Sequence, residues 1–325
     1  VLSRIAESLY WIGRYLERAE DTSRLLDVHL TLLLEDPVLD EETTSLVLLR
    51  VMGIDDEASP DHQTVLRMLG WDETSPTSMV AAFQGARESA RRSRETVSLE
   101  MWEAINTTWN MMRGNRLQHL PAHRACQLLR ERCAVVVGLA DSTMSHDEGW
   151  HYMMLGRSLE RVDMTSRIIE SAAYNADSPS AWTQTLRACG AHHAFIRTYR
   201  GAATDAQAAE FLLLDRLFPR SLLASLEQAQ QALVALETLP RRGRRPDPGL
   251  PSQTGLGAVQ GRAGEAHRML GRARAELEYG SLEEMMQTLP ERMSQLQRTC
   301  SQVNDAVSTH NFDGAGQAVW RAGVR

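Results

Sequence analysis

Lysine is absent: all 35 basic side chains among the 325 residues are arginine. That excludes Schiff-base and pyridoxal-phosphate chemistry on this chain and any phosphate-loop lysine, hence a Walker-type nucleotidase. Cysteine is scarce. Cys126, Cys133, Cys189 and Cys300 form no C-x-x-C pair, which excludes a disulfide scaffold or a zinc ribbon and fits a reducing cytoplasm. No apolar run approaches the roughly 18 residues that a membrane span needs, and the start at Val1 shows no charged-then-apolar leader. The expectation is therefore neither secretion nor membrane insertion. Basic excess is missing too. A net charge of -7 argues against general nucleic-acid binding, although the arginine-rich stretch near residue 241 could meet transfer RNA locally.

What is present is helical periodicity. From Leu2 the apolar residues recur every three or four positions through Ile5, Leu9, Ile12, Leu16, Ala19, Leu26, Leu30 and Leu33, interrupted only at Ser23. Similar patterns cover about Thr77 to Met112, Ala122 to Leu139, Glu148 to Tyr174, Ala181 to Tyr199, Ala206 to Leu217, Ser221 to Leu239, Gly257 to Leu277 and Leu282 to Val307. No period-two strand lies between them. The pattern predicts an all-α protein, an elongated bundle of about ten helices forming a single unit over 1–325. Turns are expected at Asp36-Pro37, Gly53 to Pro60, Gly70 to Pro76, Gly114 to Pro121, Asp177-Ser178-Pro179 and Phe218-Pro219, with Asp177 or Ser178 as a helix cap. Residues 240–257, rich in Arg and Pro, read as a flexible surface loop or, alternatively, a phosphate-binding arm.

The chain also repeats itself. Gly13 to Asp27 matches Gly156 to Glu170 with eight identities in fifteen positions, at an offset of 143. The shared pattern is G-R-x-L-E-R-x-[ED]-x-T-S-R, which suggests two related halves of about 1–143 and 144–325. Arg14, Glu17, Arg18, Asp21 and Arg24 lie away from the apolar stripe, and their counterparts are Arg157, Glu160, Arg161, Met164 and Arg167. Three readings remain open at this point: a solvated ladder of ion pairs, buried structural ion pairs, or a ligand-binding or catalytic stripe.

These motifs resemble the bacterial alpha-E proteins, helical proteins named for a Glu-Arg signature. The resemblance runs collinearly through Ser8 to Glu20, Ala86 to Arg91, Ser98 to Asn106, Gly149 to Arg161 and Phe211 to Ser221. Relatives of this kind are encoded beside, or fused to, a circularly permuted ATP-grasp protein, often with a transglutaminase-like protease nearby. The resemblance thus implies an accessory or catalytic component of an amide- or peptide-forming system. The alternative it leaves is a non-catalytic scaffold for the ligase. ATP and Mg would be bound by the partner and no cofactor by this chain, which lacks a glycine-rich nucleotide loop.

Arginine suits an acidic or acyl-phosphate substrate, such as a small peptide or amino acid, because its planar guanidinium makes paired hydrogen bonds and stays charged when buried. Glu17, Arg18, Glu160 and Arg161 are the candidate catalytic residues, a Glu orienting the Arg or accepting a proton from an attacking amine. Candidate substrate contacts are Arg14, Arg157, Arg24, Arg167, Arg87, Glu88, Arg91, Trp102, Trp150, Arg197, Tyr199, Arg200 and Arg220. Arg87 to Arg94 could equally be a solvated basic face, and Arg220 could merely anchor a helix start. No metal site is expected, since Glu148-Gly149-Trp150-His151 is a single Glu-x-x-His and His119 and His123 straddle Pro121. Cys189 and His192 are spaced for one helical face but lack a third partner.

Overall fold

The structure is a computed structural model that describes residues 2–35, 40–55, 59–114, 116–174, 180–200, 204–239 and 262–312. Among these residues every regular element is helical, with fourteen α-helices and no strand. The first half contains α1 (Ser3–Glu35), α2 (Glu41–Val51), α3 (His62–Val65), a π-helical turn (Leu66–Trp71), α4 (Met79–Arg92), α5 (Leu99–Met112) and α6 (Ala122–Thr143). The second contains α7 (Glu148–Tyr174), α8 (Ala181–Ala188), α9 (His192–Tyr199), α10 (Asp205–Leu214), α11 (Leu222–Thr238), α12 (Arg262–Tyr279), α13 (Leu282–Gln287) and α14 (Leu289–Asn311).

The expected number of about ten helices is too small, for local reasons. The stretch from Thr77 to Met112 breaks where Ser98 turns extended and its hydroxyl accepts from the Met101 N–H, starting a new helix. The stretch from Ala181 to Tyr199 breaks at Gly190, whose φ of 65° is the left-handed conformation that glycine adopts without a Cβ clash. That break puts Cys189 and His192 on either side of a helix boundary, so the one-face spacing read from the sequence does not hold. The last stretch breaks at Thr288, ahead of Pro290 in the first turn of α14. Residues 41–51 and 62–65 add two helices that no long periodic run announces. The Asp177–Pro179 cap and the 240–257 loop lie outside the described residues.

Packing gives two rings of four helices. α1 packs on α4 and α6, with α5 closing the ring against both; α7 packs on α11 and α14, with α12 closing the second ring. The most extensive contact of all joins α1 to α7. One continuous core results, with Tyr10, Leu9, Ile12, Leu16 and Leu26 of α1 meeting Leu155, Leu159, Val162 and Ile169 of α7 in its interior. No helix among the described residues is long and apolar enough to cross a membrane.

Candidate functional site: an arginine–glutamate clasp and the cavity beside it

The two copies of the repeated motif face each other. Gly13 and Gly156 permit the approach: a Cβ on Gly13 would lie 2.0 Å from the Met153 carbonyl oxygen, and one on Gly156 would lie 2.0 Å from that of Tyr10. Any side chain at either position would hold the backbones apart. Contacts between the helices keep a nearly constant offset of about 143 residues, so α1 and α7 run in the same direction and in register.

At this closest approach the charged residues exchange partners. Glu160 of α7 accepts from Arg14 Nε at 2.6 Å and from Arg18 Nε and Nη2 at 2.5 and 3.0 Å. Glu17 of α1 accepts from Arg157 Nε at 2.9 Å and from Arg161 Nε and Nη2 at 2.6 and 2.8 Å. Both glutamates are only 1% exposed, and Arg14, Arg18 and Arg161 are buried as well. Within each helix the next turn repeats the symmetry, Arg24 bonding Glu20 and Arg167 bonding Asp163. Arg167 also donates to the Val51 carbonyl at 3.0 Å.

Arg220 is drawn in from the second ring. It lies 3.0 Å from Glu17 Oε1 and donates at 2.5 Å to both Asp21 Oδ1 and Glu20 Oε1, while Arg161 donates to the Pro219 carbonyl beside it. It is therefore a third arm of the clasp as well as an anchor for the start of α11. This burial is incompatible with the solvated-ladder reading of the stripes.

The electrostatics follow from this geometry. Burial alone would raise the Glu17 carboxyl, but Arg161, Arg220 and Arg157 outweigh it and hold Glu17 well below the usual carboxylate range. Glu160 is lowered in the same way, burial being overcome by Arg18 and Arg14. A carboxylate held so low and enclosed so fully is a poor proton acceptor near neutral pH. Asp21 behaves oppositely. Burial pushes it up to about 7, with Arg220 opposing and Glu17 and Glu20 adding to the rise, and its Oδ2 is enclosed without a hydrogen-bond partner among the described residues.

The clasp is asymmetric at one edge. Arg14 turns its Nη1 to Asn304 Oδ1 of α14 at 2.8 Å, a contact shared by the Tyr10 hydroxyl at 2.9 Å. Its counterpart Arg157 meets no such plug. Only its Nε is spoken for among the described residues, and its side chain, 21% exposed, lines a cavity of about 230 Å³ with Trp150, Met153, Leu16, Gly138 and Asp141. Gly138 of α6 borders open space, since a Cβ there would meet nothing within 4 Å. The cavity thus brings together Arg157 and Trp150, with the exposed carboxylate of Asp141 on the same wall.

The remaining candidates stand elsewhere. Arg87 bonds Asn106 and Glu88, and Arg91 bonds the other oxygen of Glu88, forming a half-exposed cluster between α4 and α5. Trp102 lies under the Arg94 guanidinium, 5.5 Å from its ring centre. Arg197 and Arg200 are exposed at the end of α9, and Tyr199 donates to Glu210 at 3.1 Å. None of these belongs to the clasp. All four cysteines are buried and free, and burial pushes the thiols of Cys126 and Cys189 up to about 12 and those of Cys133 and Cys300 higher still, away from nucleophilic use. Among the described residues no three His, Cys, Asp or Glu side chains are grouped to hold a metal ion.

A parallel pair of helices locked by reciprocal Glu–Arg bonds at the centre of an all-helical chain defines a helical protein built around its ER motif. The chain belongs to the Alpha-E family, described as a predicted alpha-helical domain with a conserved ER motif, which it matches over residues 1–312. Among curated proteins it is 27% identical over 268 residues to uncharacterized proteins of Mycobacterium bovis and of one Mycobacterium tuberculosis strain, and 26% identical to that of a second strain. The match covers 71% of this chain but 29% of those relatives, so the chain spans well under half of their length. No solved structure matches significantly.

Proposed function

We propose that this chain is the helical accessory component of an amide- or peptide-forming system in the cytoplasm, working with a circularly permuted ATP-grasp protein that binds ATP and Mg and activates a carboxylate. In this reading the Arg–Glu pairs are architectural. They lock two related four-helix halves, α1, α4, α5 and α6 against α7, α11, α12 and α14, and make no bonds themselves. An acidic substrate, a small peptide, amino acid or acyl phosphate, would meet the free edge of Arg157 in the cavity walled by Trp150.

The observation that carries the reading is the saturation of Glu17 and Glu160 by arginines of the opposite helix at 1% exposure, while the equivalent arginine at one edge stays open. The match to less than a third of the length of the longer curated relatives adds support for a unit that operates with other polypeptide. The test is co-expression with the ATP-grasp protein, followed by ADP release and a mass-spectrometric search for new amides from an amino-acid panel. A stable complex whose product requires both chains is expected. Absence of a complex, with product independent of this chain, would overturn the proposal.

A further inference from the structure

A second cavity, sharing no residue with the first, lies where α2 and α8 close over α1 and α7. Its volume is about 270 Å³ and its walls are mostly aliphatic, including Leu25, Val28, Val47 and Ile168. The cavity opens to solvent past the exposed Asp40 and Thr43 and the half-buried Val28 and Val47, so an apolar occupant would displace water from its aliphatic walls.

The polar groups on its walls are Ser and Thr hydroxyls, the Gln184 carboxamide and the His29 imidazole, with one carboxylate, Asp40, at the rim. Burial pushes the His29 imidazole down to about 4, and its Nε2 sits 3.5 Å from the Ser45 hydroxyl. Asp40 is occupied in capping α2, accepting from the Thr43 N–H and hydroxyl. Among the described residues no arginine lines the cavity, so no cation there would offset the cost of burying an anion. One hydrogen-bonding need is unmet. The Gln184 Oε1 is enclosed and has no donor among the described residues, a cost that a ligand N–H or O–H would relieve once the carboxamide turned toward it.

We infer that this cavity is a binding site for a small, uncharged, largely apolar molecule of one or two rings that carries a hydrogen-bond donor, anchored by Gln184 between α2 and α8. The inference stands apart from the ligase reading, since binding here requires neither ATP nor a partner. Walls drawn from α1 and α7 as well as α2 and α8 mean that an occupant would brace those two short helices against the pair that carries the clasp.

The test is an NMR and calorimetric titration of the full chain with three probes: indole, which donates one N–H; naphthalene, which donates none; and indole-3-acetate, which is anionic. Indole is expected to saturate with intermolecular contacts to the Val28 and Ile168 methyl groups, and to bind at least about tenfold tighter than indole-3-acetate. Gln184→Leu is expected to weaken indole by about tenfold and leave naphthalene unchanged, the loss of one buried hydrogen bond. Val47→Trp, which fills the space, should abolish binding of both neutral probes; Ala181→Phe, at another wall, provides a second block should the first fail to fold. Failure of indole to saturate, equal affinity for the anionic probe, or binding that survives a folded, filled variant would overturn the inference.

Discussion

Glu160→Gln isolates what the clasp contributes. The substitution keeps size and shape but removes the carboxylate that Arg14 and Arg18 share, and both side chains are at most 7% exposed. Removing one partner of a buried pair typically costs about 3–5 kcal/mol, because the remaining charge keeps its burial penalty. The gross attraction is larger, but the buried pair itself offsets much desolvation. For a chain of this size the loss corresponds to a fall in Tm of about 4–8 °C. Glu88→Gln is the matched control: Glu88 pairs with Arg87 and Arg91 at a half-exposed surface, where ion pairs contribute about 0–1 kcal/mol. Urea denaturation with calorimetry reads both. A loss below about 1 kcal/mol for Glu160→Gln, or equal losses for the two variants, would refute the assignment of the clasp to architecture.

The glycines separate in the same assay: Gly13→Ala places a methyl 2.0 Å from a carbonyl oxygen and should cost more than the 1–3 kcal/mol of ordinary overpacking, whereas Gly138→Ala meets open space and should stabilise α6 by up to about 1 kcal/mol. Stability should also depend on pH with opposed signs at two buried groups. Asp21, raised from 3.8 to about 7, stays protonated in the fold while the unfolded chain ionises, so its contribution declines as pH rises between those values; Asp21→Asn should gain relative to wild type over that window. His29, lowered from 6.5 to about 4, stays neutral while the unfolded chain takes up a proton, so stability falls on acidification through that interval, and His29→Gln should flatten the fall. Denaturation midpoints at pH 4.5, 6 and 7.5 check both signs. Thiol labelling in native buffer should proceed no faster than global unfolding, as all four cysteines are buried.

Periodicity made the long helices legible because an apolar stripe repeats every three or four residues; α7 runs from Glu148 to Tyr174 as expected. It joined α4 to α5 and α8 to α9 because a hydroxyl cap or one left-handed glycine breaks a helix without disturbing the stripe on either side. It overlooked α2, whose Asp40 cap is clear but whose run is short. The repeated ER motif marked the centre of the fold, yet its letters could not distinguish a ladder facing water from one facing its own copy. Gly13 and Gly156 held that information: two glycines at matched positions of a repeat signal close backbone approach. Nothing in the sequence ties Arg220 to Glu20, 200 residues away, or sets it apart from the other arginines. Asn304, Asp141 and Gly138, which decide which edge of the clasp is plugged and which is open, stand in no motif and emerge only when α6 and α14 are placed in space.

The most direct test compares Arg161→Lys with Arg157→Gln in the proposed complex with an ATP-grasp protein, measuring Tm and the rate of amide formation per folded complex together. Lysine at 161 keeps the charge but loses the two-pronged grip on Glu17, so the account predicts a lower Tm with the rate per complex retained. At 157 it predicts a raised KM for the acidic substrate with little change in kcat. Turnover abolished by Arg161→Lys at an unchanged Tm would contradict it, and would place the chemistry on the clasp itself.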